Sequence, residues 1–402
     1  MSPRQCLHTL YQAALKAVQG RTQVAAYLQQ RALKSPVALI AIGKAATQMA
    51  AGAYDAVACA QALIITKKGH LEQHLLPSDP TITCLETAHP LPDQSSLAAG
   101  HTLIEFIQTL PQNMPVLVLI SGGTSALVEV LPTHMTLADL HRLNQWLLGS
   151  GLDIVHINQI RKSVSAIKAG RLAPYLSGHQ VINLLISDVP SDAVSVIGSG
   201  LLSYHEPLAL PSNLPTWLTQ LTQKSPPLAA VDNFAQIEQI IIAHCAHARQ
   251  AACDAAVVMG LTGFNHETFI AGDAIEAGRT LAEYLKTAPA GIHIWSSETT
   301  VQLPEQPGQG GRCQSLALAA AEVLAGHPNI YFLAAGSDGN DGPGDTAGAL
   351  VDGKTLERAG GFNVQPYLAA AAAGAFLAAS GDLVSTGPTG TNVMDILIAY
   401  VQ

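Results

Sequence analysis

Short apolar runs alternate with amphipathic stretches along most of the chain. VALIAI (37–42), ALIITK (62–67), TITCLETA (81–88), VLVLISGG (116–123) and VINLLISDV (181–189) have strand length and end in turn residues, so they predict buried strands. Between them, apolar positions recur at helical spacing. Residues 4–33 carry Leu7, Leu10, Ala14, Leu15 and Val18 in that rhythm and predict a helix closed before Pro36. Further helices are predicted from Gly43-Lys44 to about Cys59, from Ser95 to Leu110, and within 136–149 and 153–170. Strand alternating with helix predicts a parallel sheet with right-handed crossovers.

Residues 201–230 are rich in Pro, Leu and Ser and hold no clear period, so a domain boundary is expected near Ser225-Pro226-Pro227. Beyond it the pattern predicts a helix over 232–251, a strand at DAAVVMG (254–260) and a helix over 266–287. Then come a strand at GIHIWSSETTVQL (291–303), a helix over 314–326 and a strand at IYFLAA (330–335). A helix over 366–379 precedes a last strand pair within DLVSTGPTGTNVMDILIAYV. The expectation is an α/β chain of two domains. Residues 1–228 form an N-terminal Rossmann-like parallel sheet with flanking helices, and residues 229–402 a smaller C-terminal α/β domain.

Composition narrows the function. Hydrophobic residues make up 48% of 402, enough for large cores without covalent staples. No apolar run reaches the ~18 residues that span a bilayer. The N-terminus is amphipathic and lacks a continuous apolar signal core, so a soluble cytoplasmic protein is expected. The six cysteines are scattered without a CxxC pair, which fits free thiols in a reducing compartment. A net charge of −9 argues against nucleic acid as partner, since phosphate contacts need clustered Lys and Arg. It still admits a small anionic substrate at a locally positive site.

The candidate chemistry lies in the loops. The strand at 330 breaks into SDGNDGPGDTAG, with Asp338, Asp341 and Asp345 among glycines. Carboxylates on such a loop suit a hard cation such as Mg²⁺; a solvated Asp/Gly turn is the alternative. AIGKAA puts Lys44 just after a strand and near a helix N-terminus, where anions are attracted. SGGTSAL (Ser121, Gly122, Gly123, Ser125) is either a phosphate nest or an ordinary tight turn. IRKSVSAIKAGRLA carries Arg161, Lys162, Lys168 and Arg171, the one dense basic patch, readable as an anion site or a solvated helix face. ISDVPSD places Asp188 and Asp192 after a strand, and GQGGRC places Arg312 at a helix start, where it can clamp a phosphoryl group. His244, Cys245, His247 and Cys253 match no zinc spacing. Gly342-Pro343-Gly344-Asp345-Thr346-Ala347 fits GxGxxA but lacks the acidic residue about 20 positions on that a dinucleotide fingerprint needs.

Taken together, AHPLPD, SGGTSALVEVLP, IRKSVSAIKAGRLA, LLISDVPSD, ETTV, GQGGRCQSLALAAA, LAAGSDGNDGPGDTAGALVDG and GDLVSTGPTGTNVMDI resemble, in order, the glycerate 2-kinase family of the MOFRL type. The resemblance implies two α/β domains, the second MOFRL-like, with the active site in the cleft between them. It implies transfer of the γ-phosphoryl group of ATP to the 2-hydroxyl of D-glycerate with Mg²⁺, and it admits a homodimer. Departures from the family pattern are Ser163 where His is usual, and Cys313 and Ser315 where Asn and Glu are usual.

On this basis Lys44 and Arg312 are the expected catalytic cations. Asp188 would orient or deprotonate the acceptor hydroxyl. Asp338 and Asp341 would hold the metal. Ser121, Gly122, Gly123, Ser125, Gly387, Thr389, Gly390 and Asn392 would bind nucleotide phosphates, and Arg161, Lys168, Asp192 and Glu298 the acceptor. The competing readings are an NAD(P)H-dependent hydroxypyruvate reductase and a paralogue that binds a small acid without turnover.

Overall fold

The computed structural model describes every residue except 32, 34, 35, 208 and 209. It falls into two compact units, 20–242 and 1–19 joined with 243–402. This divides the chain differently from 1–228 and 229–402. The chain opens with helix α1 (Pro3–Ala17), started by Pro3 and a reciprocal Ser2–Gln5 capping box. Its buried face (Leu7, Leu10, Tyr11, Ala14) packs with the later part of the sequence. The expected helix 4–33 is therefore two: α1 and α2 (Gly20–Gln29) lie in different units.

In the unit 20–242, six strands make one sheet: β1 (Val37–Ile42), β2 (Cys59–Lys67), β3 (Ile82–Thr87), β4 (Val116–Ile120), β5 (Val181–Ile186) and β6 (Ile237–Ala243). Their order is β3-β2-β1-β4-β5-β6, and the pairs β1–β2, β2–β3, β1–β4 and β4–β5 are parallel. Both faces of β1 and β4 are buried, which is why those strands read as unbroken apolar runs. Helices α3 (Ala46–Tyr54) and α4 (Gln94–Gln108) follow β1 and β3, and the one-turn α5 (Thr124–Leu127) follows β4. Leu103 and Ile107 of α4 pack with Ile40, Leu63 and Val118 of the sheet. Helices α6 (Leu137–Gly149), α7 (Ile154–Ser163) and α8 (Thr216–Thr222) build a smaller core of Leu140, Leu143, Leu147, Ile160 and Leu218. Trp146 and Trp217 meet edge to face beside it.

The other unit departs from the expected alternation. Its strands are β7 (Gly263–Asn265), β8 (Ile270–Asp273), β9 (Gly291–Thr300), β10 (Ile330–Gly336), β11 (Gly348–Asp352), β12 (Leu383–Val384) and β13 (Asp395–Val401). The order is β12-β11-β10-β13-β9-β7, with β8 also on β9, and only β7 and β8 run parallel to their neighbour. Helix α9 (Cys245–Val258) absorbs most of the strand expected at 254–260. A short apolar run cannot be assigned by period alone, and here it continues an Ala-rich helix. Conversely, the helix expected over 232–251 gives up Ile237–Ala243 to β6, whose run of three isoleucines suits a sheet. Helices α10 (Ala274–Leu285) and α11 (Arg312–Leu324) pack together, with Leu316, Ala320 and Leu324 of α11 in a core with Phe332, Val351 and Leu397. Short helices α12 (Thr355–Arg358), α13 (Gln365–Ala369) and α14 (Ala373–Ser380) complete it. Residues 366–379 are two helices because Ala371 turns left-handed, φ +50°. Among the described residues no helix is long and apolar enough to cross a membrane.

Candidate active site

In the first sheet the chain order reverses between β1 and β4. Open α/β sheets bind ligands in the crevice at such a point, beyond the carboxyl ends of the strands. The two loops there are 43–45 and 121–123, the stretches that carry Lys44 and the paired glycines. They are tied to each other. The Lys44 N–H donates to the Gly122 carbonyl at 2.9 Å, and the Ser121 N–H to the Ile42 carbonyl at 3.0 Å. The buried Ser121 hydroxyl accepts from the Ala45 N–H at 3.1 Å, so it fastens the turn instead of lining it. Thr124 does the same, its hydroxyl lying 2.7 Å from the Ser121 carbonyl and 3.0 Å from that of Ile42. Gly43 has φ +134°, and a Cβ there would stand 2.1 Å from the Ser121 Oγ. Gly43→Ala is therefore expected to cost on the order of 3 kcal/mol, through strain and overpacking together. Thermal unfolding measures it, and an unchanged midpoint would mean that the two loops are not locked. Gly123, with φ +88°, brings its backbone close to the side chains of His89 and Lys44.

Beside Gly123 opens a cavity of about 160 Å³, walled by His89, Gly123, Ser125, Glu129, Asn144, Arg161 and Lys168. Ser125 Oγ lies 2.8 Å from Ser199 Oγ. Arg161 Nε donates to Asn144 Oδ1 at 3.1 Å, and burial pulls its guanidinium below the usual pKa. The basic segment is no solvated helix face. Helix α7 stops at Ser163, and Lys162, Lys168 and Arg171 are all buried. The Lys162 ammonium donates to the Ser195 carbonyl at 2.7 Å, and burial pushes it down to about 8. Arg171 Nη1 donates to the Lys162 carbonyl at 2.8 Å, which holds the segment in shape. Lys168 Nζ lies 2.5 Å from Glu129 Oε2, while the Ser165 hydroxyl donates to Glu129 Oε1 at 2.6 Å. Asp188 is half-buried just past the end of β5, and Asp192 stands in a left-handed turn (φ +50°) four residues on.

In the other unit the candidates gather at one end of the sheet, where β9 and β10 finish and β13 begins. Arg312, the first residue of α11, forms an ion pair with Asp395: Nη2 donates to Oδ1 at 3.0 Å, while Nε lies 2.7 Å from Oδ2 without hydrogen-bond alignment, so that buried oxygen has no hydrogen-bond partner among the described residues. Its Nη1 donates to Glu298 Oε1. Burial alone would lower the Arg312 pKa, but the two carboxylates outweigh it and hold the guanidinium charged. Asp341 caps the helix that Arg312 opens, its Oδ1 accepting from the Cys313 N–H at 3.0 Å and its Oδ2 from the Gln314 N–H at 2.7 Å. Desolvation, then the nearby Asp395, push Asp341 up to about 7. Asp338 Oδ1 accepts from the Asn340 N–H at 3.0 Å. Gly387 and Gly390, both left-handed, lie in the loop 385–394. Thr389 donates from that loop to the Ser337 carbonyl, and Asn392 is buried in it. Tyr11 of α1 donates to the Gly336 carbonyl at 2.6 Å, at the root of the aspartate loop.

Among the described residues no three His, Cys, Asp or Glu side chains are grouped to hold a metal ion. With Asp341 committed to α11, the aspartate loop does not fit an all-protein cage. Its hard oxygen donors could still take a Mg²⁺ carried mainly by phosphates, and Asp338 is the residue of the loop that could reach it. Sequence reasoning missed Glu129 and Asp395. Each is a lone carboxylate in an apolar stretch, SALVEVLP and VMDILIAY, and that isolation was the available signal.

Comparison with known proteins adds to this geometry. A family model described as a domain of unknown function, DUF4147, matches residues 6–209, and the MOFRL family model matches 291–395. The chain is 33% identical to a D-glycerate 2-kinase of Thermotoga maritima, over 91% of this chain and 90% of that one. It is 34% identical to a protein of Agrobacterium vitis named putative hydroxypyruvate reductase, over 98% and 94%. A crystal structure of glycerate kinase from Thermotoga maritima superposes with a TM-score of 0.83 at 30% identity, covering 99% of both chains.

Proposed function

The chain belongs to the MOFRL-type glycerate kinase family, and we propose that it transfers the γ-phosphoryl group of ATP to the 2-hydroxyl of D-glycerate in the cytoplasm. The observation that carries this reading is Lys44 in the β1/β4 crevice, next to Gly123 on the wall of a cavity of about 160 Å³ that also holds Arg161. That volume is close to the roughly 150 Å³ of an engineered protein cavity that takes up benzene, so it has room for a small acid. In the transfer, the bond from the γ-phosphorus to the ADP oxygen breaks and one to the acceptor oxygen forms. The hydroxyl proton passes to a carboxylate, a role we assign to Asp188, with Asp192 supporting the acceptor. Lys44 and Arg312 supply positive charge for the phosphoryl oxygens, the main device by which proteins assist this reaction. Backbone N–H groups of the turns at 122–125 and 387–391 would cradle phosphates, the Ser121 N–H being spent on the Ile42 carbonyl. Mg²⁺, bound with the nucleotide and held by Asp338, would neutralise further phosphate charge.

The reductase reading finds no support at Gly342–Ala347. That run joins β10 to the antiparallel β11, so no helix N-terminus follows it to receive a pyrophosphate. The test is an assay of ATP with D-glycerate against NADH with hydroxypyruvate, following phosphorus by NMR. Appearance of 2-phosphoglycerate, lost in EDTA without a fall in melting temperature, is the expected result. NADH oxidation without phosphate transfer would establish the reductase, and inertness in both arms a binding protein.

A further inference from the structure

The cavity wall carries two basic side chains, and they are not equivalent. Lys168 is buried and paired with a buried carboxylate, Glu129, at 2.5 Å. Glu129 is held from behind by the Ser165 hydroxyl at 2.6 Å and by the Val130 N–H at 3.0 Å, so it cannot swing away from Lys168. Arg161 has only the neutral Asn144 as a side-chain partner among the described residues. The remaining titratable group on the wall is His89. Charge in a confined site must be matched closely, because a desolvated ion without a counter-ion is costly.

We infer that Glu129 sets the charge specificity of the acceptor cavity. By cancelling Lys168 it leaves Arg161 as the compensating cation among the lining side chains, with Lys44 beside Gly123 assigned to the phosphoryl group, so the site accepts acids with a single carboxylate and rejects dicarboxylates of similar size. The inference rests on the reading of the chain as a small hydroxy-acid kinase and deepens it. Lys168 becomes a positioning group, not a second carboxylate ligand. A dicarboxylate would place its second charge against the neutralised pair, where no free ammonium meets it.

The test reads binding, not turnover. Calorimetry on the intact protein would give Kd for D-glycerate and for tartronate, which carries a second carboxylate in place of the hydroxymethyl group. The wild type should favour D-glycerate at least ~10-fold. Glu129→Gln uncovers Lys168 and should shift the ratio of the two constants toward tartronate by at least ~10-fold. The pair Glu129→Gln with Lys168→Met is neutral again and should restore the wild-type preference. Should Glu129→Gln fail to fold, Lys168→Met alone still decides: it leaves Glu129 uncompensated beside Arg161, so D-glycerate should bind at least ~10-fold more weakly. An unchanged ratio in folded Glu129→Gln, or unchanged D-glycerate affinity in Lys168→Met, overturns the inference. Failure of the kinase reading would show separately, as no phosphate transfer by the wild type whatever the binding ratio.

Discussion

Lys44→Ala is expected to lower kcat at least ~100-fold and to leave the melting temperature near that of the wild type. One preorganised charge aimed at a developing negative centre is typically worth that much. The fold should survive because the contact that locks the crevice, Lys44 N–H to the Gly122 carbonyl, belongs to the backbone and is kept by any residue. Helix α3 starts only at Ala46, so no helical position is disturbed. Lys44→Met, which keeps the stem and removes the charge, should match Lys44→Ala. Agreement would show that charge and not packing is at stake. Because the interaction strengthens as the phosphoryl group transfers, kcat and kcat/KM should fall together. A rise in KM alone would make Lys44 a ground-state binding residue, and normal kinetics would remove it from the site.

The stretches around this lysine were legible because each is a strand closed by glycine, a local signal. What the sequence could not convey is that β1 and β4 are neighbours. That follows from strand order, which depends on contacts far apart along the chain. The basic segment shows the same limit. Its residue types mark it as unusual in an acidic protein, but the partner that neutralises Lys168 lies 39 residues away. Asp341 reads locally as one aspartate of a polar loop, yet its oxygens cap a helix that begins almost 30 residues earlier, where Cys313 N–H reaches back to it. Where local pattern misled outright, at 254–260 and 237–243, neither run had enough residues for its period to separate helix from strand, and packing decided.

Arg312→Ala is expected to abolish turnover, at least ~1000-fold, the scale at which a transition-state arginine acts in phosphoryl transfer. It should also destabilise the protein, and the two effects can be separated. Asp395 is 1% exposed and has lost its ion-pair partner in this variant. Removing one member of a buried pair costs about 3–5 kcal/mol, to be discounted here to on the order of 2 kcal/mol because the Arg312 side chain is 37% exposed. Desolvation already raises the Asp395 pKa, and Arg312 is the first group opposing it, so the variant should raise it further. A carboxyl raised in the folded state is no handicap below its unfolded value, near 4, and costs stability progressively as pH climbs toward the folded value. Arg312→Ala should therefore lose more melting temperature, relative to wild type, at pH 8 than at pH 5. Adding Asp395→Asn removes the stranded charge and should recover most of the stability at pH 8, with turnover still absent. Recovery of activity in that double variant would show that Arg312 serves only to neutralise Asp395. Persistent inactivity in a stably folded double variant would leave charge donation to the phosphoryl group as its task.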